Sequence, residues 1–316
     1  LLFEKIGEKV ASLDNIHIPE KFGPIKRLVD EHKVKTYAFT QDYYHSWTFG
    51  KSPFGRRTAQ AGILLNDLAA LYYLNYDPNT NRGLHTEEEI WFHNPVFVNE
   101  EVTLSAEYVE KYNKNNKGYV VMEAEAKGED GRKIITRRGT EIFGDETGLE
   151  SKGAKKEKKN AIDKKNIVTG EYDKSLEPIE KANGEIRIGR SLFPVKKQIT
   201  PEQAAVYSFV GDYLENIHNN LNYARKSDLD FPIVQALQQV GYLIEMLVDF
   251  FECNWFSTGW MKVKFIRPVR TDESVLVRGV IKDIINNGDT KTIKLEVWTE
   301  NNKGELTTVG WASAKI

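Results

Sequence analysis

The chain has 316 residues, enough for one large core or for two domains of ordinary size, and its 44 basic and 46 acidic side chains leave a net charge of −2. Charge so evenly spread argues against a nucleic-acid partner. The single cysteine, Cys253, excludes an intrachain disulfide and favours a cytoplasmic setting with the thiol buried and inert.

In chain order, the opening LLFEKIGEKV lacks a basic flank followed by a long apolar run, so no secretory signal is expected. Residues 42–50 place Asp42 and His45 only three positions apart. TAQAGILLNDLAALYY, 58–73, predicts a helix of about 15 residues with too many apolar side chains for a surface helix. Asn66 and Asp67 interrupt it, as Glu245 and Asp249 interrupt 240–251, so neither stretch suits a bilayer and no membrane partner is expected. Strands follow: Val102, Leu104 and Ala106 alternate with Thr103, Ser105 and Glu107, and a similar alternation runs over 120–126. Asp130-Gly131 supplies a hairpin turn. Residues 146–174, with SKGAKKEKKNAIDKK, read as a solvated linker rather than a cofactor-attracting patch.

A second unit begins near residue 186. A strand over about 192–200 leads to Thr200-Pro201-Glu202-Gln203, the pattern of a helix N-cap, for a short helix ending near Gly211. GDYLENIHNNLNYAR, 211–225, then forms an irregular connection to a buried helix starting near Ile233. The strands after it repeat those of the first unit. Phe92 and Phe265, Pro95 and Pro268, Glu100 and Glu273, and Gly131 and Gly304 all stand 173 positions apart, and the helices 175. Such a register implies two copies of one folding unit. Each copy is expected to hold one central helix and three or four long antiparallel strands, paired so that sheet edges are buried.

The candidate chemistry lies in the connection before the second helix, where Asp212 and His218 set a carboxylate and an imidazole six residues apart. The bland alternative has Asp212 capping a turn and His218 as a satisfied polar residue. His45, His85 and His93 share no metal-site spacing, so no metal is expected. No Gly-rich phosphate loop stands between a strand and a helix.

Gly211, Asp212, Ile217, His218 and Ala224, then Phe231, Pro232, Ile233 and Val234, then Phe265, Pro268 and Val269, resemble the motifs of the MaoC-like (R)-specific enoyl-CoA hydratases and 3-hydroxyacyl dehydratases of the double-domain hydratase 2 type. The resemblance covers most of the chain. It departs in the Asp212 to His218 spacing, six where the family has five, and in Gln235-Ala236, where the family has His-Gly. It implies an α+β double hot-dog, two tandem units each with a curved antiparallel sheet wrapped around a central helix. The division would be 1–145 for a non-catalytic first unit that accommodates the acyl part of the substrate, 146–185 for a charged linker and lead-in, and 186–316 for the unit carrying the site. It also implies a lyase of fatty acid metabolism with Asp212 and His218 catalytic and no cofactor beyond the CoA or acyl-carrier part of the substrate. Asn216 and Asn219 would tighten the loop or bind substrate, Tyr223 and Arg225 would stand at the mouth, Gln235 and Ala236 would mark the helix start that meets the thioester oxygen, and Trp255 and Trp260 would line an acyl pocket. The partner is then an acyl-CoA. A homodimer fits, as does a chain that stands alone, since two units already make one hot-dog pair. A hot-dog protein that binds acyl thioesters or a partner subunit without turnover, and a thioesterase, are the competing readings.

Overall fold

A computed structural model describes residues 5–80, 83–115, 117–143, 168–208 and 214–316. A two-residue strand β1 (Lys9–Val10) precedes β2 (Glu20–Val29), then helices α1 (Glu31–Gln41), α2 (Ser46–Phe49) and α3 (Leu65–Ala69). After β3 (Tyr76–Asp77), which pairs with β1, come four long strands, β4 (Leu84–Phe92), β5 (Glu100–Lys114), β6 (Lys117–Lys127) and β7 (Lys133–Phe143). The second half holds β8 (Val195–Gln198), α4 (Pro201–Ser208), α5 (Leu221–Lys226), α6 (Ala236–Phe251), α7 (Cys253–Thr258), β9 (Trp260–Phe265), β10 (Ser274–Asn287), β11 (Thr290–Asn301) and β12 (Leu306–Lys315).

Ten strands form one sheet in the order β2-β5-β6-β7-β4-β9-β12-β11-β10-β8, every neighbour antiparallel. Read outward from the central β4–β9 pair, the two sides have the same order. The sequence register is visible in the bonds. Ala59 N–H donates to the Val96 carbonyl at 2.9 Å and Val234 N–H to the Val269 carbonyl at 2.8 Å. The Glu100 carboxylate accepts from Phe97 N–H at 2.9 Å, and Glu273 from Arg270 N–H at 3.1 Å. Bridges join Thr58 to Phe97 and Ile233 to Arg270. Strand β6 begins 173 positions before β11, and β7 the same number before β12. Gly131, Gly288 and Gly304 take positive φ of 81°, 68° and 74° at the hairpin tips, the conformation that favours glycine there.

The helices are less alike. In α6, every residue but Ala236 and Asp249 is buried, as expected of a helix that is apolar on most sides. Its counterpart, expected as about 15 helical residues from Thr58, is only Leu65–Ala69 followed by a 3-10 stretch Ala70–Leu74. Before it, turn-type bonds from Ile63 N–H to the Gln60 carbonyl and from Leu65 N–H to the Gly62 carbonyl replace helical ones. Gly62 packs closely in this turn, where a Cβ would lie 2.6 Å from the Tyr37 hydroxyl. The second helix likewise starts three residues after Ile233, where an extended segment is held against Val269 and Arg270.

The Thr200 cap is present: Thr200 Oγ1 accepts from Gln203 N–H at 3.2 Å while Gln203 Oε1 accepts from Thr200 N–H at 3.1 Å, a reciprocal capping box. Most of the expected linker, 146–167, lies outside the described residues. The remainder, 168–185, is mostly exposed but is anchored at three buried residues. Val168 lies against Val280 and Trp298, and Ile179 and Ala182 are buried, because these apolar residues find the outer surface of the second half.

Candidate active site

Three asparagines build the loop around His218. Asn216 Nδ2 donates to Ser208 Oγ at 3.1 Å and to the Leu214 carbonyl at 3.0 Å, while its Oδ1 accepts from His218 N–H at 2.8 Å. Asn219 answers from the other side, accepting from Asn216 N–H at 2.9 Å and donating to the Leu214 carbonyl at 2.8 Å. Asn220 caps α5 by accepting from the N–H groups of Asn222 and Tyr223. Asn66, on α3, reaches across from the first half to donate to the Tyr207 carbonyl at 2.7 Å. Short amides that mimic backbone partners thus fix a segment with no regular structure of its own.

The His218 ring is clipped to the start of the buried helix. Its Nδ1 lies 2.8 Å from the Ile233 carbonyl oxygen. A carbonyl only accepts, so Nδ1 carries the proton and Nε2 is left as an acceptor. Burial holds the imidazole down at about 4, although the Ile233 contact pulls the other way, so the ring is neutral near pH 7. Part of the ring remains accessible from a cavity of about 460 Å³ that it lines. Helix α6 opens onto the same cavity. Gln235 at its N-cap makes no side-chain cap, its Oε1 is buried without a partner among the described residues, and Ala236 and Leu237 line the space.

Both halves contribute walls. The first half brings Asn66, Tyr72, Tyr73, His85, Thr86 and Glu141, and the second brings Asn216, His218, Tyr223, Gln235 and Ala236 with Lys226 and Arg267. Lys226 rests over the Tyr223 ring at 5.2 Å. Arg267 is exposed and donates to the Leu306 carbonyl at 3.1 Å.

Of the residues singled out in the sequence, His218, Asn216, Tyr223, Gln235 and Ala236 therefore meet at one cavity. Asp212 lies outside the described residues. Asn219 braces the loop from behind, and Arg225 is exposed on α5 without joining the cavity wall. The two tryptophans belong elsewhere, correcting the acyl-pocket expectation. Trp255 is fully buried between Phe251 and Phe92, at ring distances of 5.9 and 5.0 Å, because α7 folds back onto the central strands. Trp260 lies in the β4–β9 seam, where its Nε1 donates to Glu89 at 3.0 Å. Lys226, Arg267, His85 and the two tyrosines carried no local sequence signal. His45 alone hinted at the arrangement, standing 173 positions before His218.

That counterpart is closed. Around His45, Gln60, Ala61 and Gly62 only about 20 Å³ remains. His45 Nδ1 accepts from Trp47 N–H at 3.2 Å, and the rings of Trp47, Phe54 and Phe256 fill the space. The Gln41 side chain lies directly against Gly241. A separate cavity of about 280 Å³ lies where His45 and Asp249 meet Lys181 and Glu252, without reaching residues 58–62. Among the described residues no group of three or more His, Cys, Asp and Glu side chains is placed to hold a metal ion, and no helix is long and apolar enough to cross a membrane.

Residues 185–303 match the family described as MaoC like domain. No curated protein matches the chain. Solved structures do. A MaoC-like dehydratase superposes with a TM-score of 0.73 at 14% identity, over 96% of this chain and 99% of that one. A Mycobacterium tuberculosis protein described as having a double hotdog fold gives 0.62 at 10% identity over 96% and 98%. The peroxisomal multifunctional enzyme type 2 of Drosophila melanogaster gives 0.62 at 17% identity, over 93% of this chain and 48% of that one. The chain thus shares the double hot-dog fold, and residues 185–303 in its second half resemble the MaoC-like domain.

Proposed function

We propose that the chain is an (R)-specific hydro-lyase that adds water to an enoyl-CoA thioester, or removes it from a 3-hydroxyacyl-CoA, in the cavity beside His218. One observation carries this reading. A neutral imidazole, its tautomer set by the Ile233 carbonyl, offers Nε2 as an acceptor beside the uncapped start of a 16-residue helix. In hydration, water gives a proton to His218 Nε2 and its oxygen bonds to C3. The C2–C3 π pair shifts toward the thioester, and the developing oxygen charge is met by N–H groups at the start of α6, where the helix dipole is favourable. C2 then takes a proton from the Asp212 and His218 pair, with the Asp212 carboxylate orienting the water. A ring that loses its proton as readily as His218 is well suited to returning it.

The division 1–145, 146–185 and 186–316 is proposed with it, the first unit being non-catalytic and walling the substrate. Lys226 and Arg267 bring cationic groups suited to the phosphates of CoA. The MaoC-like match of the second half and the closure of the His45 region both support this assignment.

The test follows the loss of conjugated enoyl absorbance from an enoyl-CoA with wild type, Asp212→Asn and His218→Ala. Each variant is expected to fall by about 100-fold or more, the range of a lost general acid or base. Equal rates in all three sink the assignment. Tight binding without turnover would point to a thioester-binding protein, and release of free thiol to a thioesterase.

A further inference from the structure

His85, at the start of β4, brings a second imidazole to the cavity, with its ring edge-on to Phe265 at 5.1 Å. Its Nε2 is 2.8 Å from Glu88 Oε2 and 3.1 Å from the Glu87 carbonyl oxygen. Both neighbours accept, so Nε2 carries a proton and donates it. Glu88 is wholly buried and gripped by Arg137, whose Nε and Nη2 donate to its two oxygens at 2.6 and 2.7 Å. Burial pushes the Glu88 carboxyl up, but Arg137 and His85 more than reverse that and hold it at about 2. A charged carboxylate is thereby locked behind the ring. Nδ1 has no partner among the described residues.

The wall next to it has the same polarity. Thr86 Oγ1 donates to the Thr140 carbonyl at 3.0 Å, which leaves its oxygen lone pairs for other contacts, and Glu141 adds a carboxyl group. A purely aliphatic occupant would leave these acceptors unmatched, an arrangement that discriminates against ligands lacking a donor. Buried ion pairs such as Glu88–Arg137 add little stability over an apolar substitute. Here the pair ends on a ring that faces the cavity.

We propose that His85 is a substrate-binding residue whose Nδ1 accepts a hydrogen bond from a donor group on the thioester. The proposal rests on the thioester reading of the cavity. The donor has two possible sources with the same chemistry, a hydroxyl on the acyl chain or an N–H or hydroxyl of the pantetheine arm.

The experiment measures binding, so it needs no turnover. Three saturated ligands are titrated calorimetrically into wild type and His85→Gln: a plain acyl-CoA, the same acyl-CoA with a hydroxyl on its chain, and the plain acyl group as its methyl thioester, which carries no N–H or hydroxyl. The glutamine amide can still donate to Glu88 but offers no acceptor at the Nδ1 position. A tenfold loss confined to the hydroxylated ligand assigns the contact to the acyl chain. A tenfold loss for both CoA ligands but not the truncated thioester assigns it to the arm. Affinities that all change by one factor, or not at all, overturn the proposal. His85→Phe, which keeps an aromatic ring against Phe265, is expected to repeat the glutamine pattern and serves if His85→Gln does not fold. If wild type binds none of the three, the thioester reading itself falls.

Discussion

His218 owes its proposed role to two contacts, one of its ring with a backbone carbonyl and one of its backbone with a side-chain amide. The Ile233 carbonyl fixes which nitrogen bears the proton, and Asn216 Oδ1 holds the residue's own N–H. The burial that lowers its pKa to about 4 has a consequence for stability. In the unfolded chain the ring titrates near 6.5. Between those values the unfolded state binds a proton that the folded state excludes, so the contribution is favourable above about 6.5 and is lost as the pH falls toward 4. Denaturant titrations of wild type and His218→Gln across this window are expected to diverge, the wild type losing more stability with acid. The same shift moves the acid limb of kcat/KM toward 4, and a break at 6.5 in a pH–rate profile would contradict it. Asn216→Ala removes three bonds from the loop and is expected to lower kcat at least tenfold with a smaller change in KM, read from steady-state kinetics with the enoyl-CoA. Asn216 and Asn219 were legible in the sequence as loop-tightening residues, because such amides act on their near neighbours. Lys226, Arg267 and His85 were not, because only tertiary folding brings them to the cavity.

At the scale of elements, the repeat foretold the strands better than the helices. Strand pairing transmits its register through main-chain bonds, so a 173-residue offset in sequence becomes the same offset between β6 and β11 and between β7 and β12. Helix 58–73 had no such protection. Its apolar pattern would suit a long helix, yet the chain turns over residues 60–65, where Gly62 packs close to Tyr37 and Ile244. The neighbouring helix α6 shows the same crowding from the other side, where Gly241 accommodates Gln41. Gly241→Ala is therefore expected to lower stability by about 1–3 kcal/mol, the usual cost of overpacking, despite alanine's better helix propensity. Adding Gln41→Ala relieves the clash, so the double variant should recover part of the loss. Urea midpoints check this, and a Gly241→Ala protein as stable as wild type would refute it.

Across the whole molecule, the two halves are joined through β4 and β9, whose register sets Glu87 against Lys264 and Glu89 against Lys262. Lys262 bridges Glu87 and Glu89 at 2.8 and 3.1 Å, and Ile90 and Met261 are buried in the same seam. One sheet and a shared cavity wall predict one cooperative transition. Far-ultraviolet circular dichroism and tryptophan fluorescence should give coincident urea curves, and two separated midpoints would show halves that unfold independently. The double architecture was readable from the repeat. The inequality of its halves was only partly so, because the missing acid-histidine pattern around Asp42 and His45 does not reveal that aromatic rings occupy the space. That occupancy sets a stoichiometry. A symmetric pair of units would offer two equivalent thioester positions, but here the packing of Trp47, Phe54 and Phe256 leaves only about 20 Å³ beside residues 58–62. Titration with a saturated acyl-CoA should accordingly reach its endpoint at one equivalent per chain, with no second, weaker step within the chain.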